Sequence, residues 1–424
     1  MSAHEKASTG MAVSATLAAD EQMRRRSAAG LRTVPLAFGQ AGVPVHPRLR
    51  EAIAHAADRN DYGSVAGSAE LREAAAGYWQ RRGLDTDPDQ VVAGPGSKAL
   101  LYSVLRAVGG DVVVPRPSWV TYAAQISLLG ARPLHVPTPP GEGGVPDADA
   151  LVTSVLEARR GGRDVRAVVL TLPDNPTGTM ASVATIERAC MAARDLDLVV
   201  ISDEIYRDLL YRGPFHSPAE YAPERVVITS GLSKSLSLGG WRLGITRLPH
   251  GEIGDRLRER VLSTASEIWS SVAQPVQHAA ADALGEPPEL VDYVARARRL
   301  YESITLSVAD AFTAAGARVT TPQAAFYAYP DLAPHRNRLA ADHRVHNGSE
   351  LAALLLDRYG IATLPGHVFG EPTDRLTLRI CTGMLTGNTS QEQDLALNSA
   401  EPLSLAWIAD PLNRLQTALA ELLR

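Results

Sequence analysis

The chain has 424 residues, more than one simple core organises, so two domains sharing one chain are expected. Hydrophobic residues at 45% and charged residues at 21% describe an ordinary globular protein, and a net charge of -5 leaves no basic surplus for nucleic acid. The two cysteines, Cys190 and Cys381, form no metal-ligand spacing, residues 11–19 make a poor signal peptide and no run is long enough to span a bilayer, so the expectation is a cytoplasmic protein with no metal and no membrane partner.

Residues 1–30 lack apolar periodicity, carry Arg24-Arg25-Arg26 and read as a flexible arm. A short strand over 34–38 leads to the turn-rich Gly39-Gln40-Ala41-Gly42-Val43-Pro44 and a helix over 48–59. Asp61-Tyr62-Gly63-Ser64 opens the next loop, and a strand over 90–93 runs through Gly94-Pro95-Gly96-Ser97-Lys98-Ala99 into a helix over 97–108. These glycines fit a dinucleotide fingerprint, which would make the chain a nicotinamide dehydrogenase and needs a carboxylate at the end of the following strand. Val112-Val113-Val114 runs instead into Pro115-Arg116-Pro117. A phosphate on the free N–H groups of a helix start explains the glycines equally well.

Pro117-Ser118-Trp119-Val120-Thr121-Tyr122 starts the next helix, residues 137–146 form a loop, and 147–160 read as a surface helix. The apolar run over 165–172 is a buried strand followed by the turn Pro173-Asp174-Asn175-Pro176-Thr177-Gly178. After a helix over 182–195, the strand Leu198-Val199-Val200-Ile201 ends in Ser202-Asp203-Glu204-Ile205-Tyr206. A carboxylate at the C-terminal end of a buried strand is poorly placed for stability alone, and open α/β sheets bind ligands at that edge. Strand alternation points Glu204 away from Asp203, so Asp203 is the candidate.

The strand Val226-Val227-Ile228-Thr229 then feeds a stretch of small residues holding Ser233-Lys234 and Gly240-Trp241-Arg242-Leu243-Gly244. A lysine beside a buried strand loses solvation, its pKa falls and its amine becomes a nucleophile. Its natural partner is an aldehyde, and Ser233 and Arg242 suit a phosphate. Lysine, aldehyde and phosphate together suggest pyridoxal phosphate bound as a Schiff base. Long helices are expected over 251–284 and 289–315, a strand at Pro322-Gln323-Ala324-Ala325-Phe326-Tyr327 and another at Leu376-Thr377-Leu378-Arg379-Ile380. Residues 335–346 read as a solvated loop, 386–404 as an extra loop and 411–423 as the last helix.

The segment from Ser230 to Gly244 resembles the cofactor-lysine segment of the class I/II aminotransferases, the aspartate-aminotransferase-like enzymes of fold type I. The other pieces follow in order: Tyr62-Gly63 with Leu71-Arg72, Asn175-Pro176-Thr177-Gly178, Asp203 with Tyr206, Pro322 to Tyr327 with Ala324 in place of the usual glycine, and Leu378-Arg379-Ile380. Cys381-Thr382-Gly383 departs from the serine and small residues usual there. The resemblance implies an α/β fold with a mainly parallel seven-stranded sheet between helices in a large domain, residues 61–289. A smaller α+β domain would comprise residues 31–60 and 290–424, behind an N-terminal arm over 1–30.

For the cofactor, pyridoxal 5'-phosphate, the resemblance implies that Gly96, Ser97, Lys98, Ser233 and Arg242 hold the phosphate and that Trp119 stacks on the ring. Asp203 would pair with the pyridine nitrogen, Asn175 and Tyr206 with the phenolate oxygen, and Lys234 would carry the Schiff base. Gly39, Asn175 and Arg379 would contact the substrate, Arg379 forking onto its α-carboxylate. Tyr62 would reach the neighbouring active site of a homodimer. The implied reaction is transfer of the amino group of an L-amino acid to a 2-oxo acid by a ping-pong route, with Lys234 as general base. Other chemistries on the same scaffold, such as β-elimination or replacement, a lyase, a decarboxylase or an oxidase, begin from the same residues and stay open at this point.

Overall fold

A computed structural model describes residues 14–423. Helix α1 (Ala15–Ala28) precedes a short strand β1 (Val34–Pro35), then α2 (Pro47–His55) and α3 (Ala69–Gln80). The central layer alternates strands and helices: β2 (Val91–Gly94), α4 (Ser97–Val108), β3 (Asp111–Arg116), α5 (Val120–Leu128), β4 (Pro133–Pro137), α6 (Ala148–Arg160), β5 (Val165–Thr171), α7 (Val183–Asp195), β6 (Val199–Asp203), β7 (Val226–Gly231) and β8 (Gly244–Arg247). Helices α8 (Glu252–Ile268), α9 (Gln274–Leu284) and α10 (Pro288–Ala314) follow. The C-terminal part holds β9 (Tyr327–Ala328), α11 (Arg336–His343), α12 (Gly348–Tyr359), β10 (Ile361–Ala362), β11 (Leu364–Pro365), β12 (Leu378–Cys381), α13 (Ser390–Asn398) and α14 (Ala406–Leu423).

The seven strands β2 to β8 form one sheet in the order β2-β8-β7-β6-β5-β3-β4. Its pairings are parallel except for β8, which runs antiparallel to both β2 and β7. The expected α/β architecture with a mainly parallel seven-stranded sheet is therefore present. Its strands are apolar on both faces because helices cover both. Along β5, β6 and β7, Val168, Leu170, Val200 and Ile228 belong to one core with α6 and α7, while Ala167, Val169, Ile201 and Val227 belong to another with α4 and α8. The two-residue period of a strand divides the cores in this way. Register then lines up Thr171, Asp203 and Thr229 at the C-terminal ends of three adjacent strands.

A second, three-stranded sheet has the order β11-β12-β9, with Arg379 opposite Leu364 and Cys381 opposite Tyr327. Alternation puts Arg379, Cys381 and Tyr327 on one face. Strand β1 pairs in parallel with β10, tying residue 34 to residue 361. Helix α10 is 27 residues long, roughly 40 Å at 1.5 Å per residue, and carries Tyr301, whose hydroxyl accepts from the Gly42 N–H at 3.1 Å.

Several local expectations are corrected. Residues 15–28 of the expected flexible arm form helix α1, and the first 13 residues of that arm lie outside the described residues. Alanine, leucine, glutamine and arginine favour a helix without an apolar stripe, and Asp20–Arg24 and Glu21–Arg25 pair one turn apart. The expected loop over 335–346 holds helix α11, which ends at Arg344 in the left-handed region with φ 56°. The expected loop over 386–404 holds α13, started by a capping box between Thr389 and Glu392. The continuous helix expected over 251–284 breaks at Trp269–Ser271, where Ser270 has φ 58°, and resumes as α9. The last helix starts five residues earlier than expected and runs through Pro411. The strand expected from Pro322 shortens to β9, because the N–H groups of Gln323 and Ala324 both donate to the Gly178 carbonyl.

Candidate active site

Three strand ends and one loop deliver side chains to a single place. Lys234 follows β7 and donates from Nζ to the Gly39 carbonyl at 2.6 Å. Its ammonium also lies 5.8 Å from the Tyr206 ring centroid and 6.0 Å from that of Phe326. Burial pulls the Lys234 ammonium down from its ordinary value to about 8. The Cys381 thiol and Asp203 carboxylate oppose this shift, and the Arg379 and Arg242 charges reinforce it.

Asp203 ends β6 and is buried. Its Oδ2 accepts from the Tyr122 hydroxyl at 2.8 Å, and its Oδ1 from the Ile205 N–H at 3.3 Å. Tyr122 is itself within 2.9 Å of the Thr171 hydroxyl. Burial pushes the Asp203 carboxyl up to about 6, against the restraining pull of those hydrogen bonds. A carboxylate held this dry has its full charge available to one cationic partner.

Arg379 comes from β12 and is 1% exposed. One guanidinium nitrogen donates to the Ala37 carbonyl, another reaches Asn175 Oδ1 at 3.5 Å, and Nε has no partner among the described residues. The rings of Tyr327 and Phe369 lie 5.2 Å from the guanidinium carbon. A buried donor without a partner beside a loosely engaged one suits a carboxylate acceptor. Asn175 is held by its loop, where the buried Asp174 accepts from both the Thr177 N–H at 3.2 Å and the Thr177 hydroxyl at 2.6 Å. Burial raises the Asp174 carboxyl to about 7.

A second lobe is anionic in its preference. Gly96 caps α4 without a side-chain hydrogen bond, so the helix start offers backbone N–H groups. Gly96 has φ 90°, a conformation strained for any residue with a Cβ, and a Cβ there would also push on the Arg242 guanidinium. Arg242 is anchored to the Gly239 and Pro95 carbonyls at 2.7 and 3.3 Å. The Lys98 ammonium lies 5.1 Å from the Trp119 ring centroid, and burial followed by the Arg242 charge lowers its pKa. Gln125 fixes this turn by donating to the Lys98 carbonyl at 2.7 Å.

Of the residues singled out from sequence, Lys234, Asp203, Tyr206, Asn175, Arg379 and Gly39 are brought together in the first lobe. Gly96, Ser97, Lys98, Trp119 and Arg242 are grouped in the second, with the half-buried Ser233 next to Lys234. Tyr62 is not among them: it is 84% exposed, and Ser271 donates to its carbonyl. Sequence reasoning missed Tyr122, Tyr327 and Phe369. The spacing Pro-x-Trp-x-x-Tyr carried a signal for Tyr122, and Phe-Tyr one for Tyr327, whereas Phe369 had none. Among the described residues no group of histidine, cysteine and carboxylate side chains could hold a metal ion.

A family model for aminotransferase class I and II matches residues 34–392. The chain is 30% identical over 365 residues to the aspartate/prephenate aminotransferase of Thermus thermophilus, covering 85% of this chain and 89% of that one. It is 30% identical over 394 residues to the aspartate aminotransferase of Geobacillus stearothermophilus, covering 90% and 95%. Among solved structures it resembles the aspartate aminotransferase from Thermus thermophilus with maleate, with a TM-score of 0.81 at 26% identity over 98% of this chain and 100% of that chain.

Proposed function

Since this chain belongs to the class I and II aminotransferases, we propose that it moves the amino group of an L-amino acid to a 2-oxo acid with pyridoxal 5'-phosphate, using Lys234, Asp203 and Arg379 as its reaction centre. The observation that carries this reading is the convergence of a lysine whose pKa is lowered to about 8, a dry carboxyl and an incompletely satisfied arginine in one buried place.

The residues present fit the cofactor. The uncapped start of α4, with Ser97, Lys98 and Arg242 around it, suits a phosphate dianion, to which Ser233 would add a hydroxyl. The Trp119 indole suits a flat heteroaromatic ring, and Asp203 suits a protonated ring nitrogen. Tyr206 and Asn175 would donate to the ring's phenolate oxygen, and the Lys234 amine suits the aldehyde carbon. When bound, the group supplies an electron sink for the pair left at the substrate's α-carbon.

The chain's own residues do the rest. Arg379 holds the α-carboxylate with its planar fork, turning the Cα–H toward Lys234. Lys234 Nζ, as a free amine, would take the α-proton and give it up again within the same turnover; a pKa lowered to about 8 is matched to both tasks. The rings of Phe326, Tyr327 and Phe369 keep water out. The 2-oxo acid product would leave before the acceptor binds, giving ping-pong kinetics.

The homodimer belongs to the same proposal. Tyr62 at 84% and Ile268 at 66% are exposed large side chains flanking the contact between Ser271 and Tyr62, as expected of a face that another subunit covers. Buried, unpaired Cys190 and Cys381 support a cytoplasmic location, and among the described residues no helix is long and apolar enough to cross a membrane.

The test is a single half-reaction. Cofactor-loaded protein given one amino donor and no acceptor should release one equivalent of 2-oxo acid per subunit and stop. Continuous release of ammonia or carbon dioxide would favour an elimination or decarboxylation instead.

A further inference from the structure

A cavity of about 390 Å³ opens between the end of α3, the loop after β6, the Ser230–Leu236 segment and the first turns of α10. Lys234, Asp203 and Arg379 do not line it. Its walls are mixed: Leu210, Phe215, Leu236, Leu290 and Val294 supply apolar surface, and charged and hydroxyl side chains supply the rest. Its volume lies within the usual range for small-molecule sites.

The charged groups around it are unequal. Arg82 bridges Asp208 at 3.0 Å and Glu286 at 2.9 Å, and the Tyr78 hydroxyl donates to Asp208 at 2.9 Å. Arg207 pairs with Glu204 at 3.2 Å and lies over the Phe215 ring. Arg298 alone among the lining arginines has neither ion pair nor hydrogen bond among the described residues, although it is half-buried. The carboxylate one turn along, Glu302, is taken by Arg212 at 3.1 Å. Arg298 stands eight residues beyond Leu290 on α10, roughly 12 Å along the helix axis. The Ser230 and Ser235 hydroxyls also line the cavity and make no hydrogen bond among the described residues.

We propose that this cavity is a binding site for a small monocarboxylate with an apolar body, its carboxylate on Arg298 and its body against Phe215, Leu236 and Val294. A planar guanidinium without a partner matches a carboxylate in two-point contact. The apolar part of the wall, Phe215, Leu236 and Val294, rewards an apolar body, and a phosphate dianion would find one free cation where it needs more. The Ser230–Leu236 wall is the stretch that carries Lys234, so a ligand here would brace that stretch against α10.

The probe is 3-phenylpropionate, which has no amino or oxo group to react, titrated by calorimetry into the cofactor-loaded protein. The wild type should bind two equivalents per chain, one of them at Arg379. R379A should keep one equivalent, and that equivalent should weaken at least tenfold in R379A/R298Q. A second variant, V294W, fills the cavity without touching a charge and should remove the same equivalent. Amino-donor KM should be unchanged in R298Q. A single equivalent in the wild type, lost with R379A, would overturn the proposal, as would a second equivalent that survives both R298Q and V294W. Because that equivalent is counted in R379A protein without turnover, its presence or absence is independent of the transfer reaction.

Discussion

The hydroxyl of Tyr206 lies 2.8 Å from the hydroxyl of Tyr327, so two phenols from separate parts of the chain share one proton position beside Lys234. Their rings meet edge to face with centroids 5.5 Å apart, and both are buried. Tyr327 therefore sets which way the Tyr206 hydroxyl points. Replacing Tyr327 with Phe removes one hydrogen bond, about 0.5–1.5 kcal/mol. The expected result is a roughly 2- to 10-fold loss of kcat/KM with the fold intact, and a larger loss for Tyr206→Phe. Equal kcat/KM in Y327F and wild type would separate Tyr327 from catalysis.

Arg379 is buried with one nitrogen unpartnered, so its charge is held ready for an anion. R379K keeps the charge and loses the fork. It should lower kcat/KM by about 10²-fold, the scale of one or two charge-assisted hydrogen bonds. The loss should be similar for every amino donor, because all carry the same α-carboxylate. A loss confined to one donor would assign Arg379 to side-chain selection instead.

Asp203 yields a stability prediction with a definite sign. Its folded value is raised to about 6, so the folded state holds this proton more tightly than the unfolded state does. Its ionisation therefore costs stability as pH rises from the ordinary carboxyl range to about 6, and the cost stays constant above that. D203N keeps a similar shape without the charge. The cofactor-free variant should be more stable than wild type at pH 8, by on the order of 1–3 kcal/mol, and no more stable at pH 3.5. Transfer activity should nevertheless fall. Denaturant titration at the two pH values checks this, and equal stability at pH 8 would contradict a buried, ionised Asp203.

Lys234 predicts a pH profile. The chain has only three lysines, Lys6, Lys98 and Lys234. Pulse acylation of the cofactor-free protein should modify Lys234 at a rate rising tenfold per pH unit below about 8 and levelling above it. A rate still climbing tenfold per unit near pH 9.5 would mean a solvated lysine.

Much of this site was legible because its residues sit where the chain changes state. Asp203 ends an apolar run, Lys234 follows another, and Gly96 precedes a helix, so each was placed by its strand or helix before any contact was known. The Tyr122–Asp203 and Tyr206–Tyr327 hydrogen bonds were hidden, since each joins residues 81 and 121 positions apart through sheet order that periodicity does not reveal. Phe369 reaches Arg379 from a turn whose carbonyl accepts from the Ser118 N–H, a pairing without a local pattern. Helix α13 was a different case: Thr389 and Glu392 spell its capping box in the sequence, and the glycine and asparagine before them read more strongly as a loop.

The central claim is tested most directly by reducing the cofactor-loaded protein with borohydride and mapping the modified peptides by mass spectrometry. A stable pyridoxyl phosphate mass on Lys234, at one per chain and absent from Lys6 and Lys98, is the predicted result. Protein that takes up no cofactor, or carries the label on Lys98 with Lys234 untouched, would contradict it.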